Sequence, residues 1–244
     1  MRYLITFSYD GSKYQGYQKQ PSMNTIQDEI EKVLFKLAHE KCVSIHASGR
    51  TDAGVHAFNQ KAHFDLDESI NLDKLKHSIN SMLPNDIYVK KVELVKDEFH
   101  ARFDVKRKEY IYKINIGEYN PIEKNYVYQL NRSLNINNIK EALLYLKGTH
   151  DFKSFTKSNN EKEDYIRTIF KADMMLENNQ IIFSFIGTGF LRYQIRNMVG
   201  TLLEIGLEVR KPKDIKEILE AKDRRCAGKI APSCGLYLKD VYYE

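Results

Sequence analysis

The residues best suited to chemistry lie in one run, Ser48-Gly49-Arg50-Thr51-Asp52-Ala53-Gly54-Val55-His56-Ala57. It sets a carboxylate, Asp52, between two glycines with an arginine two residues before it. An ionised carboxylate can attack an electrophilic carbon or take up a proton. Gly49 and Gly54 permit unusual backbone angles on both sides of it. If the run is extended, side chains two apart point the same way, which puts Arg50 and Asp52 on one face. The alternative for so short a motif is a glycine-punctuated turn with a surface ion pair. Further along, Arg192 and Arg196 lie one helical turn apart at the edge of an apolar stripe formed by Leu191, Ile195, Met198, Val199 and Leu202. There a guanidinium can face an acid or simply reach solvent. Tyr110 and Tyr112 share one face of a strand, where they can pack in a core or stack on a nucleobase. His56, His63, His100 and His150 are scattered, as expected of structural or solvent-facing imidazoles and not of a metal set.

The elements that must position these residues follow from hydrophobic period and punctuation. Residues 3–9 alternate as a strand. Asn24 to Glu40 carries Ile26, Ile30, Val33, Leu34 and Leu37 at helical spacing behind a capping Thr25-x-x-Asp28. Strands are expected at 42–48 and 58–66, then a helix marked by Leu72, Leu75, Ile79 and Met82 that stops at Pro84, then a strand at 87–95. That order is β-α-β-β-α-β, the ferredoxin-like arrangement. The same order recurs as strand 108–116, helix 135–147, strands 166–176 and 180–187, helix 190–207 and strand 236–243, with a short helix at 212–221 before the last strand. The expected fold is α+β: two pseudo-symmetric ferredoxin-like halves, 1–104 carrying the Asp52 run and 105–244 carrying the tyrosine strand and arginine helix. No linker-like segment lies between residues 95 and 108, which favours one compact body with a cleft where the halves meet.

Composition bounds the class. The chain has 244 residues, 42% hydrophobic and 29% charged, as in an ordinary globular protein. Lys and Arg exceed Asp and Glu by 38 to 33, which permits a polyanionic partner. Arg102, Lys106, Arg107, Lys108 and Lys113 cluster around the two tyrosines, and Lys222, Arg224, Arg225 and Lys229 form a second basic cluster. Basic residues interleaved with aromatics suit a surface that stacks bases and tracks phosphates. Three cysteines without C-x-x-C spacing suggest neither a disulfide framework nor a zinc site, and point to a reducing cytoplasm. The N-terminus has no signal-peptide pattern, and the longest apolar stretch, Ile181 to Leu191, is too short to span a bilayer.

Taken together, these runs resemble the tRNA pseudouridine synthase A family over nearly the full length. The resemblance is carried by Gly49 to Ala57, Tyr9-Asp10-Gly11, Gly16-Tyr17-Gln18, Gln20-Pro21 and Asn80-x-x-Leu83-Pro84. It continues through Phe99-His100-Ala101-Arg102-Phe103, Lys108-Glu109-Tyr110-Ile111-Tyr112, Gly148-Thr149-His150-Asp151-Phe152 and Gly187-x-Gly189-Phe190-Leu191 with Arg196. It implies that Asp52 is the family's aspartate, Tyr110 its active-site tyrosine, Arg196 the arginine that pairs with the aspartate, and Arg50 the arginine that assists base flipping. His56 and Arg102, inside matched runs, are then substrate contacts. Two departures fall at Arg192-Tyr193-Gln194, where an aromatic, a small polar residue and methionine are usual, and at Lys229-Ile230, where Pro-Thr is usual.

The implied reaction breaks the uracil N1–C1′ bond and rebuilds it from C5 on a flipped-out nucleotide. It involves no redox change, group transfer or hydrolysis, so neither cofactor nor metal is expected. The implied partners are the anticodon arm of tRNA and a second copy of the chain, in the cytoplasm. A paralogue acting on ribosomal RNA shares these signatures. A glycoside hydrolase usually needs a second carboxylate flanking the bond. A tandem ferredoxin-like RNA-binding module calls for an RNP1-like strand, which Lys61-Ala62-His63-Phe64-Asp65 does not supply.

Overall fold

The structure, a computed structural model, describes residues 1–157 and 164–244. It is mixed α+β and divides into two compact units, Met1–Lys106 with Tyr237–Glu244, and Arg107–Leu236. Among the described residues no helix is long and apolar enough to cross a membrane.

The first unit runs β1 (Arg2–Tyr9), α1 (Ile26–Leu37), β2 (His46–Ala47), β3 (His56–Asp65), α2 (Leu72–Met82) and β4 (Ile87–Val95). β1 is antiparallel to both β3 and β4, so those two run parallel to each other on either side of it, joined through α2. Tyr3, Ile5 and Phe7 of β1 are buried, and Ile26, Ile30 and Leu34 turn the apolar stripe of α1 inward. Thr25 caps α1 by accepting the Asp28 N–H at 3.3 Å, and Asn71 caps α2 by accepting from Asp73 and Lys74. α2 ends where Leu83 turns extended before Pro84. Asn80 then binds both backbone groups of Val89, donating to its carbonyl at 2.9 Å and accepting its N–H at 2.8 Å. The strand expected over 42–48 shrinks to His46–Ala47, because residues 41, 42 and 44 are exposed and find no partner strand.

The second unit runs β5 (Arg107–Asn115), β6 (Tyr128–Gln129), α3 (Ile136–Leu146), β7 (Gly148–Asp151), β8 (Ile166–Glu177), β9 (Gln180–Gly187), α4 (Gln194–Gly206) and α5 (Asp214–Ala221). Its sheet is ordered β5-β9-β8-β7, all antiparallel, with β6 parallel on β5. The β8–β9 hairpin turns on Asn178 and Asn179, both with positive φ, the backbone that a tight two-residue turn requires. α4 begins four residues later than its hydrophobic pattern suggests. Residues 188–193 turn instead, with Tyr193 at φ 64° and the Gln194 side chain accepting the Leu191 N–H at 2.8 Å.

The last strand, β10 (Leu236–Tyr242), corrects the expected division at 105–244. From Tyr237 onward it belongs to the first unit, where Tyr237 and Leu238 pair in parallel with His56 and Ala57. Lys106 donates to the Tyr242 carbonyl at 2.9 Å, and Tyr243 donates its hydroxyl to the Ala101 carbonyl at 2.9 Å.

Candidate active site

Asp52 lies in the loop joining β2 to β3, and the first unit holds that loop from several sides. The Val55 N–H closes a turn on the Asp52 carbonyl at 3.2 Å, Tyr17 donates its N–H to the Thr51 carbonyl at 3.1 Å, and Gly54 donates to the Tyr14 carbonyl at 3.3 Å. Gly54 takes φ 73°, as its place beside the carboxylate suggested, whereas Gly49 needs no such backbone. Gly16, at φ 97°, lies so close that an added Cβ would stand 2.9 Å from the Thr51 carbonyl. Side chains complete the support. Ser48 donates to Gln60 Oε1 at 2.6 Å, Gln60 Nε2 donates to the Gly49 carbonyl at 2.9 Å, and the Tyr9 and Thr51 hydroxyls meet at 2.7 Å. Along the loop Arg50 is exposed, Thr51 buried and Asp52 half-buried.

His56 is buried, with its ring stacked on Tyr237 at 4.7 Å. Its Nδ1 lies 3.1 Å from the Gly11 N–H and 3.1 Å from Asp10 Oδ1, so the imidazole ties β3 to the Tyr9-Asp10-Gly11 run. Arg102 is exposed on the turn after Phe99, its guanidinium 6.0 Å from the ring centre of Phe103, which is itself 75% exposed. Below that turn the histidines are not scattered. His63 stacks on His46 at 5.1 Å and meets His100 edge-on at 4.7 Å. Their Nδ1 atoms serve the backbone: His63 accepts from Ala101, and His100 from Arg102 and Phe103. Burial, then the nearby Arg2, His100 and His46 charges, push the His63 pKa down to about 4. Among the described residues no group of three or more His, Cys, Asp and Glu is arranged to hold a metal.

In the second unit Tyr110 and Tyr112 separate into two roles. Tyr112 is fully buried and donates its hydroxyl to the Pro232 carbonyl at 2.6 Å, a strut of the core. Tyr110 keeps a small exposed part and sets its ring edge-to-face on Phe190 at 5.4 Å. Arg196, half-buried on the first turn of α4, donates Nε to the Ala231 carbonyl at 2.7 Å, while its own carbonyl accepts the Ala231 N–H at 3.1 Å. Its guanidinium also lies 5.5 Å from the Tyr193 ring centre. Of the residues that depart from the usual pattern, Tyr193 touches it directly by its ring, and Lys229-Ile230 immediately precede the Ala231 that binds it. The second basic cluster has structural partners. Lys222 pairs with Asp151 at 3.1 Å, Arg225 with Asp223 at 2.6 Å, and Arg224 donates to Asn197 at 2.8 Å.

A family model described as tRNA pseudouridine synthase matches residues 5–104 and 142–244. This chain belongs to the tRNA pseudouridine synthase family. Curated relatives named tRNA pseudouridine synthase A are 45% identical in a Geobacillus strain, 47% in an Exiguobacterium strain and 46% in Streptococcus agalactiae. Each alignment covers 100% of this chain and 98%, 98% and 95% of the relative, respectively. Arg50, Asp52, His56, Arg102 and Arg196 fall within the parts matched to the synthase family, and Tyr110 falls between them.

Of the residues that hold the Asp52 loop, Tyr9 and Tyr17 lie in runs the sequence singles out, though nothing there shows that they support Asp52, whereas Gln60 reads only as the polar face of β3. Its place is fixed by the sheet register, which sets the buried Gln60 opposite the buried Phe7 of β1.

Proposed function

We propose that this protein converts uridine to pseudouridine on the 3′ side of the anticodon stem-loop of tRNA, with Asp52 as the catalytic carboxylate. The observation that carries this reading is the Asp52 loop, a run matched to the family and supported by hydrogen bonds on both sides of the exposed Arg50. In the reaction the N1–C1′ bond breaks, C5 bonds to C1′, the C5 proton leaves and N1 gains a proton. Asp52 either attacks the sugar or removes a proton from it. On the motif match, Arg50 assists the flipped-out nucleotide, Tyr110 supports the extruded uracil, Arg196 keeps the aspartate ionised, and His56 and Arg102 contact the substrate. The working form is a homodimer in the cytoplasm, as the family resemblance implies.

Asp52→Asn tests the assignment, since an amide is neither nucleophile nor base. Tritium release from 5-tritiated uridine in tRNA transcripts should fall to background while tRNA affinity persists. Release at the wild-type rate would reject Asp52. Mapping new pseudouridines on tRNA and ribosomal RNA transcripts tests the target: modification confined to ribosomal RNA would reject the tRNA assignment and leave the reaction standing.

A further inference from the structure

We infer that Tyr9 is a positioning residue for Asp52, acting through its buried hydrogen bond to Thr51; this rests on the assignment of Asp52 as the catalytic carboxylate. Residues 48–55 of the loop have no strand ladder of their own after the bend at Ser48, so the backbone around Asp52 depends on individual bonds. Gly49 is held through its carbonyl by Gln60, Thr51 through its carbonyl by Tyr17, and Asp52 through its carbonyl by Val55. Thr51 is also held by its side chain. Its hydroxyl lies 2.7 Å from that of Tyr9, and both residues are buried, Tyr9 at 4% and Thr51 at 9% exposure.

Tyr9 is well placed to act as such a strut. It ends β1, the strand bonded on both sides by β3 and β4, so its phenol is carried by an interior strand of the first unit. Burial raises its pKa to about 12, so the hydroxyl keeps its proton at any physiological pH. Removing the Tyr9 hydroxyl takes from the buried Thr51 hydroxyl its 2.7 Å partner, whereas removing the Thr51 hydroxyl leaves Tyr9 its second contact, Gln60. The residue next to Asp52 would then lose its side-chain anchor and keep only the bond from the Tyr17 N–H. Positioning errors of an ångström are enough to slow chemistry strongly.

The test compares wild type with Tyr9→Phe, Thr51→Val, Thr51→Ser, the double variant Tyr9→Phe/Thr51→Val, and Asp52→Asn. Single-turnover tritium release from 5-tritiated uridine tRNA, tRNA affinity by filter binding and thermal midpoint are measured for each. Tyr9→Phe and Thr51→Val should slow the single-turnover step by roughly 10- to 100-fold with little change in tRNA affinity. Thr51→Ser, which keeps the hydroxyl, should restore most of the rate. The double variant should be no slower than the slower single variant, because the two groups act as one unit. A Tyr9→Phe rate equal to wild type would overturn the inference, as would parallel losses of rate and affinity, or failure of Thr51→Ser to rescue. If Tyr9→Phe does not fold, the Val and Ser variants of Thr51 decide the question alone. An inactive Asp52→Asn beside a fully active Tyr9→Phe would sink this inference only, whereas an active Asp52→Asn would sink the catalytic assignment itself.

Discussion

At Asp52 the loop backbone is fixed mainly by uncharged groups: two hydroxyls, one carboxamide and several backbone N–H donors hold it, and Arg50 stays exposed between them. Arg196 is oriented in a comparable way, through Nε on the Ala231 carbonyl. Lysine at that position keeps the charge but loses the planar fork, so Arg196→Lys should reduce turnover much more than tRNA affinity. Equal losses would mark Arg196 as a phosphate contact. His63 gives a prediction of a different kind. Its folded pKa of about 4 lies below the ordinary histidine value of 6.5, so the unfolded chain binds the proton more readily. The stability contributed by keeping His63 neutral is fully present above pH 6.5 and is lost as pH falls from there toward 4. Thermal midpoints should decline through that window, and His63→Asn should flatten the decline; an unchanged slope would place the acid sensitivity elsewhere.

Among the elements, α4 shows how a helix is aimed. Its apolar stripe was legible from Ile195, Met198, Val199 and Leu202, but its start was set by the left-handed Tyr193 and the Gln194 side chain, neither of which a periodicity reveals. The helix is seated against residues 228–231 through Gly200, where an added Cβ would overlap the Lys229 carbonyl. A carbonyl on the main chain cannot swing aside as a side chain can. Gly200→Ala should therefore destabilise the protein by about 1–3 kcal/mol, as overpacking does. It should also weaken turnover by displacing Ala231 from Arg196. Urea unfolding together with tritium release would check both, and wild-type stability with wild-type turnover would refute the argument.

For the whole molecule, the telling feature is chain order: the first unit opens the sequence, the second interrupts it, and the last eight residues return to the first. Those residues supply the buried Tyr237, Leu238 and Val241 and the phenol of Tyr243 that holds the turn carrying Arg102. Three such side chains contribute about 5 kcal/mol or more, comparable with the stability of a typical protein. A chain ending at Leu236 should consequently lose the first unit's fold. Limited proteolysis should then cut within residues 1–106 first. Preferential cutting within residues 107–236 would contradict this division of the stabilising contacts.

The sequence by itself determined the types of the long elements and most of their bounds, and singled out the residues suited to chemistry, whereas the short strands β6 and β7 had no readable pattern. The reason is that periodicity, caps and glycine or proline punctuation act locally, and short runs such as Gly49 to Ala57 fix residue types at fixed offsets. Tertiary structure alone decided which neighbours serve those residues. Tyr9 reaches Thr51 across 42 positions and His63 reaches Ala101 across 38, distances over which no local pattern carries a signal. The same holds for the last strand. Its alternation shows that it is a strand, but the choice of β3 as a partner depends on which edge stands open once the chain has folded, a property of the assembled sheet and not of residues 236–243.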